Sequence, residues 1–418
     1  MLYGLGVAAF ALAILISVSL HELGHMITAK RFGMKVTKYF VGFGPTIFSF
    51  QRGETEYGLK AIPLGGFCKI VGMTPQDDDV EPQDQPRAMW RFPVWKRTIV
   101  MSAGSITHFL LAIVATWFAA VFVGLPNPAL PSTAAEQRAA PAMVQVGDCV
   151  VVDLTKTTEC VPGQNGDVAG PAYAAGLRTN DIITKVGTTP VSNYGQLTDA
   201  IRSTKAGPTE FSYTRDGVAG TATVNLVTAS RPPLDDPDGP VTQVAVAGVN
   251  WTTDQPGLVT YGPFEGVKAT GDFTGSLVTG TFASLKKIPD KVPALLHSIT
   301  GAERDPDTPI SVIGASRLGG EAIAAGVPQY FLMIFISLNM FIGIFNLLPL
   351  LPLDGGHIAI AWYEKARSWI YGRLHKPDPG RVDYFKLMPV TYVVILIGGA
   401  FTLLTATADI INPISIFR

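Results

Sequence analysis

The sequence predicts a multi-span α-helical membrane protein, with four transmembrane helices and an α/β domain inserted between the second and the third. Charged residues are only 16% of the 418 positions, against 47% apolar, whereas an ordinary soluble domain carries about 25% charged residues. Mean hydropathy is positive. The missing charge is concentrated in four stretches long enough to cross a bilayer. The same figures exclude other classes. Lys+Arg 32 against Asp+Glu 33 leaves no basic excess to neutralise phosphates, which rules out a nucleic-acid binder that works by bulk charge. Three cysteines rule out a disulfide scaffold or a cysteine-rich zinc module. Forty-three Gly and 31 Pro, scattered among apolar residues, do not make a disordered chain.

Residues 1–27 form the first span. Leu2 to Leu20 hold no charged side chain, and at about 1.5 Å per residue they match the hydrocarbon core. No Lys or Arg precedes the run and it leads into His21-Glu22, so it reads as a retained span rather than a cleaved signal peptide. Residues 28–98 form a loop, and 99–124 the second span, where His108 is the only titratable group. Residues 125–142 are a Pro- and Ala-rich linker, 143–229 a β-rich domain, and 230–326 a further linker with an amphipathic helix. Residues 327–358 are the third span, 359–388 a loop, and 389–412 the fourth span, with Asp409 near its end. The 28–98 loop holds 11 Lys/Arg and the 360–388 loop six, whereas 14 are spread over the long 125–327 segment. The positive-inside rule then places both shorter loops in the cytoplasm, with the termini and the long segment outside.

In the outward segment, Gly170 to Gly187 reads as a turn-rich unit, followed by a helical stretch (Tyr194 to Arg202) and two strand-like runs (Glu210 to Arg215, Thr221 to Val227) joined through Asp216-Gly217. The phrase Ala175-Gly-Leu-x-x-x-Asp-x-Ile183, followed by a helix and a hairpin, resembles a PDZ domain, a fold that takes an extended peptide onto a sheet edge. A small structural module that only excludes bulky partners is the other reading. Cys149 and Cys160 lie 11 residues apart on this side, where an oxidising compartment permits a bridge. An acidic loop (231–240) and a β-like piece (Val241 to Trp251) follow. Residues 264–300 then read as an amphipathic helix carrying Lys268, Lys286, Lys287 and Lys291, either an ordinary surface helix or one lying on the outer membrane face.

The sharpest signal is His21-Glu22-Leu23-Gly24-His25. On a helix the two histidines stand one turn apart on one face, where both imidazoles can bind one tetrahedral Zn²⁺ while Glu22 beside them holds a water. Ionisable groups at membrane depth are costly and mark function. Such a site needs a third protein ligand and an open position. In Phe345-Asn-Leu-Leu-Pro-Leu-Leu-Pro-Leu-Asp-Gly-Gly-His357, an apolar span is broken by Pro349, Pro352, Gly355 and Gly356. Irregular backbone at that depth survives only where it is buried or lines a cavity. Asp354 is the only carboxylate there, and completes a His₂-carboxylate set. Zinc is inferred from the ligand types.

These two motifs together resemble the site-2 protease family of intramembrane zinc metalloproteases. More narrowly they resemble the bacterial regulator-of-sigma proteases with one inserted PDZ domain, of the actinobacterial kind. Gly42-Phe-Gly-Pro45, Ile62-Pro-Leu-Gly-Gly-Phe67 and Asp307-Thr-Pro-Ile-Ser311 resemble further family phrases. The resemblance implies His21, His25 and Asp354 as zinc ligands and Glu22 as the catalytic base. It implies Asn346 as a group that steadies substrate or the developing oxyanion, and His357 as a neighbour rather than a ligand. It also implies a membrane-entering β-hairpin within 28–98, compatible with strand-like alternation at Thr46 to Phe50 and Glu56 to Ile62. The implied partners are the lipid bilayer, single-span substrates such as anti-sigma factors, and a peptide ligand of the PDZ-like domain. The second span departs from the pattern: it reads Ala103-Gly-Ser-Ile-Thr-His108 where many relatives have A-G-P and an Asn, so His108 is either a satisfied interior histidine or a proton relay. A metal-binding membrane scaffold or transporter is the rival class, against which stand the absence of an inverted repeat and the presence of Glu22, a base that a transporter does not need.

Overall fold

A computed structural model describes the chain except residues 75, 76, 78, 79, 154–159, 165, 166, 234–238, 303 and 416–418, and the side chain of residue 64. The acidic centre of the 231–240 loop therefore lies outside the described residues. The chain divides into two compact units, one formed by Met1–Leu125 with Thr260–Arg418 and the other by Pro126–Val259.

In the first unit, helix α1 spans Leu2–Arg31. It buries Gly6, Phe10, Ile14, Ser17, His21, His25 and Ala29, a stripe at three- and four-residue steps that selects one helix face. A hairpin of β1 (Val36–Arg52) and β2 (Thr55–Ile70) follows, turning at Gly53 with φ +64°. The hairpin curls back on itself. Residues 38–41 pair with 66–69 on one side and with 56–59 on the other, while Phe50 pairs with Tyr57 and Arg52 with Thr55. Its base is tied to α1 by Lys30 Nζ donating to Tyr57 Oη at 2.9 Å and Tyr39 Oη donating to the Ser19 carbonyl at 2.8 Å. Ile47, Phe48 and Ile62 are exposed along its length.

Helix α2 (Val94–Phe118) crosses α1 closely: a Cβ on Gly24 would stand 2.7 Å from the Ala103 carbonyl oxygen. Small residues permit this kind of approach between membrane helices. Then come α3 (Glu265–Ile299), α4 (Val312–Ala324), α5 (Pro328–Asn346), α6 (Asp354–Arg373) and α7 (Met388–Ile411). Helix α5 stops where Pro349 and Pro352 forbid its continuation, and α6 restarts at Asp354. Among the described residues, four helical segments are long and apolar enough to cross a membrane: Leu2–Arg31, Val94–Val123, Pro328–Asn346 and Tyr384–Ile411. They fit a multi-pass membrane protein. Two buried ion-pair clusters brace this unit. Arg304 meets Asp409 at 2.7 Å, and the Ser311 N–H and hydroxyl both donate to Asp409. Arg97 on α2 meets Glu364 on α6 at 3.1 Å, joined there by Arg381 at 3.0 Å.

The second unit is a sheet whose path runs Thr242–Val246, Val218–Arg231, Gly207–Arg215, Asp181–Val186, Met143–Val146, Val249–Trp251. A helix, Tyr194–Ser203, is capped by Asn193, whose side chain accepts from the Gln196 N–H at 2.8 Å. Val144, Leu177, Ile183, Leu197 and Phe211 form the core. The fully buried Asp181 takes a two-pronged pair from Arg215, each arm 2.7 Å. Cys149 and Cys160 are joined as a disulfide.

Candidate metal centre and active site

His21 and His25 reach the site because α1 carries them one turn apart on its buried face. Their Nε2 atoms are 3.1 Å apart. His25 Nδ1 lies 2.7 Å from the Val100 carbonyl oxygen. A carbonyl only accepts, so Nδ1 carries the proton and Nε2 keeps its lone pair, as a ligating histidine requires. Asp354, at the first turn of α6, brings Oδ2 to 3.4 Å from His21 Nε2 and 3.3 Å from His25 Nε2. The three side chains are largely withdrawn from solvent and form a cluster that could hold a metal ion.

The triangle fits zinc. Ligands at about 2.0–2.2 Å in a tetrahedron stand roughly 3.3–3.5 Å from one another; the two edges to Asp354, 3.3 and 3.4 Å, fall in that range and the His21–His25 edge, 3.1 Å, is slightly shorter. Asp354 Oδ2 is buried without a hydrogen-bond partner among the described residues. An orphaned buried carboxylate oxygen is expensive unless a cation meets it.

Helix α2 closes the back of the site at Gly104. A Cβ there would lie 2.4 Å from His21 Cε1, 2.5 Å from His25 Nε2 and 2.6 Å from His21 Nδ1. On the open side is a cavity of about 260 Å³ lined by Val18, His21, Glu22, His108, Ile342, Asn346, Pro352, Leu353 and Asp354. Glu22 faces it from α1 and packs against β2, where a Cβ on Gly66 would stand 3.5 Å from Glu22 Cγ. Asn346 faces it from the last residue of α5. His357 lies outside the ligand cluster, stacked on Tyr384 at 5.8 Å.

His108 occupies a buried network in this unit. Its Nδ1 lies 2.9 Å from Asn339 Oδ1 and 3.1 Å from Ser17 Oγ, and Ser17 also donates to Asn339. Asn339 Nδ2 donates to the Phe335 carbonyl at 2.9 Å, which fixes Oδ1 toward His108. The ring is thus a satisfied interior histidine on its Nδ1 side and a cavity wall as well. Sequence reasoning missed Gly104, Ser17 and Asn339. Gly104 left a trace, as one of the small residues in the Ala103-Gly-Ser run. Ser17 and Asn339 left only their polarity within apolar spans.

Residues 9–375 match peptidase family M50, and the chain belongs to that family: it is a zinc metalloendopeptidase of the site-2 protease type, and its cofactor is Zn²⁺. Among curated proteins it is similar to zinc metalloprotease Rip1 of Mycolicibacterium smegmatis, 44% identical over 424 residues that cover 100% of each chain. It is likewise similar to zinc metalloprotease Rip1 of Mycobacterium tuberculosis strain H37Rv, 40% identical over 420 residues with 100% of each covered.

Proposed function

We propose that this protease hydrolyses a peptide bond within the transmembrane segment of single-span proteins already trimmed outside the membrane, such as anti-sigma factors. Each cut would release a cytoplasmic fragment and so transmit an envelope stress signal, which is regulated intramembrane proteolysis. The observation that carries the reading is the convergence of His21, His25, Asp354 and Glu22 on one cavity whose wall includes the non-helical backbone at Pro352 and Leu353, directly after the apolar helix α5.

His21, His25 and Asp354 would hold the metal. Zinc bound there supplies Lewis acidity, which polarises a carbonyl and lowers the pKa of a water. Glu22 takes the proton of the attacking water and returns it to the leaving amine. The Asn346 amide donates to the carbonyl oxygen as charge develops on it, from a fixed position and in apolar surroundings where such a bond counts most. Val18, Ile342 and Leu353 give the cavity an apolar side beside the polar groups.

A transmembrane helix hides its carbonyls in its own hydrogen bonds, so the substrate must be unwound before it can be cut. The curled hairpin supports a means of doing this. Residues 66–69 pair on one side with 38–41, and Gly66 lies against Glu22. A substrate segment adding to the other side of 66–69 would pass the base as an extended strand. In this reading the hairpin enters the membrane with its apolar side chains. The 28–98 and 359–388 loops are cytoplasmic, while the termini and the 126–259 unit face outward. That unit acts as a PDZ-like domain, holding back untrimmed proteins and offering the Val249–Trp251 edge to a peptide, and α3 rests on the outer membrane face.

The test is cleavage in detergent of a single-span anti-sigma-type protein that lacks its outer domain. Wild type should give a fragment cut within the span, zinc chelation should abolish it, and Glu22→Gln should give none while retaining zinc. A product from Glu22→Gln at the wild-type rate would sink the reading.

A further inference from the structure

Helix α6 begins with Asp354 and then runs to Arg373 with an aromatic and basic face that is largely exposed among the described residues, although Trp362 Nε1 donates to Thr98 Oγ1 of α2 at 3.0 Å. Trp362 and Trp369 are 46% and 62% exposed, and Tyr363 58%. Trp362, Lys365, Trp369 and Arg373 follow one another at steps of three and four, so they line one face of the helix. The cations sit over the rings: Lys365 Nζ is 5.1 Å from the Trp362 centroid, and Arg373 Cζ is 4.8 Å from that of Trp369. Lys365 and Arg373 are exposed and make no ion pair among the described residues. The acid of this helix that could neutralise them, Glu364, points the other way, 3% exposed and engaged by Arg97 and Arg381. Residues 360–388 carry six Lys/Arg against three acids, and the segment lies between two helices of membrane-crossing length.

Exposed Trp and Tyr partition to the headgroup level of a bilayer, and cations beside them meet lipid phosphates. We infer that the Trp362–Trp369 face of α6 is a binding surface for anionic phospholipid headgroups, with Lys365 and Arg373 on the phosphates and the indoles at the glycerol level. Glu364 locks the opposite face of the helix to α2 through Arg97, and Trp362 adds its own bond to Thr98 of α2. Lipid on the outer face therefore holds α6 from its second side and steadies Asp354 at its first turn. This couples the anionic lipid content of the membrane to how firmly the metal is kept. The inference does not depend on which protein is cut.

The experiment uses the zinc-loaded full-length protein in a neutral detergent, titrated with brominated phosphatidylglycerol or brominated phosphatidylcholine. Tryptophan quenching and zinc transfer to a chelator are followed together. For wild type, phosphatidylglycerol should quench at concentrations well below phosphatidylcholine and should slow zinc transfer. K365Q/R373Q removes two cations, each contributing about 1 kcal/mol. It should raise the half-quenching concentration of phosphatidylglycerol on the order of 25-fold, leave that of phosphatidylcholine unchanged, and cancel the effect on zinc. W362F/W369F should lose the phosphatidylglycerol-specific quenching while the protein still retains the lipid by native mass spectrometry. Equal quenching by the two lipids in wild type, or an unaltered response of K365Q/R373Q, would overturn the lipid surface. So would inorganic phosphate slowing zinc transfer as well as phosphatidylglycerol does, since that marks a free-anion site. Quenching with no change in zinc transfer would overturn the coupling to Asp354.

Discussion

Replacing Gly104 with alanine adds one methyl group, and the structure sets what that group meets. The new Cβ would stand 2.4–2.6 Å from the His21 ring and from His25 Nε2, where ordinary contact begins at 3.4 Å. The overlap is thus about 0.8–1.0 Å. Helix α2 cannot back away freely, because it crosses α1 at Gly24 and its Val100 carbonyl holds His25 Nδ1 at 2.7 Å. The imidazoles must move instead. Metal–ligand distances tolerate only about ±0.2 Å, so a displacement several times larger separates the proposed ligands His21, His25 and Asp354. Disturbing the support of a metal ligand typically weakens binding about 10- to 100-fold, and direct displacement of two ligands should reach at least the upper end. Overpacking adds roughly 1–3 kcal/mol of instability. The assay is competition for zinc against a chromophoric chelator, with circular dichroism as the check on folding. Gly398→Ala serves as the control, since a Cβ there meets nothing within 4 Å. Wild-type zinc affinity in folded Gly104→Ala would refute the geometry.

Three other outcomes are expected. Burial alone would raise the Glu364 carboxyl, but the Val382 N–H, Arg381 and Arg97 outweigh it and hold it below its ordinary value of 4.5. A depressed pKa stabilises the fold above the ordinary value, and that contribution is lost as pH falls through the folded value below it. Glu364→Gln leaves Arg97 buried without its counter-charge and should cost about 3–5 kcal/mol at pH 7. Its melting-temperature deficit should shrink below about pH 4; a deficit constant from pH 7 to pH 3 would contradict this. Cys160→Ser opens the bridge to Cys149 and should destabilise the 126–259 unit by about 2–4 kcal/mol, read as a denaturation midpoint that reductant lowers in wild type but not in the variant. Asn346→Ala should keep zinc and lower kcat on the order of 10²- to 10³-fold with KM little changed, as measured in the cleavage assay.

What the sequence made legible was local. His21 and His25 could be placed on one face because a four-residue step is one helical turn. The four apolar stretches could be placed because their length matches a bilayer. Asp354 stood out as the carboxylate inside a run broken by Pro349, Pro352 and two glycines, although only the fold brings it to within 3.4 Å of residues more than 300 positions earlier. The rest depends on contacts between distant segments. Helix α4 is short and rich in glycine and alanine, and hydrophobic periodicity did not separate it from a linker. Helix α6 lies in a stretch whose charge marked it as a loop. The double pairing of residues 38–41 is invisible to an alternation pattern, which predicts a hairpin and not its curl. The strands Thr242–Val246 and Val249–Trp251 were recognisable as β-like, but their place in the same sheet as Val218–Arg231 rests on long-range pairing.

The most direct test of the central claim is zinc content per chain, measured on purified wild type and on His21→Ala, His25→Ala, Asp354→Ala and Glu22→Gln. One zinc in wild type and in Glu22→Gln, with little or none in the other three, is the expected result. It would establish that two distant segments supply three ligands while the base stands apart from the metal. A full complement of zinc in Asp354→Ala, or its loss from Glu22→Gln, would contradict the assignment at its root.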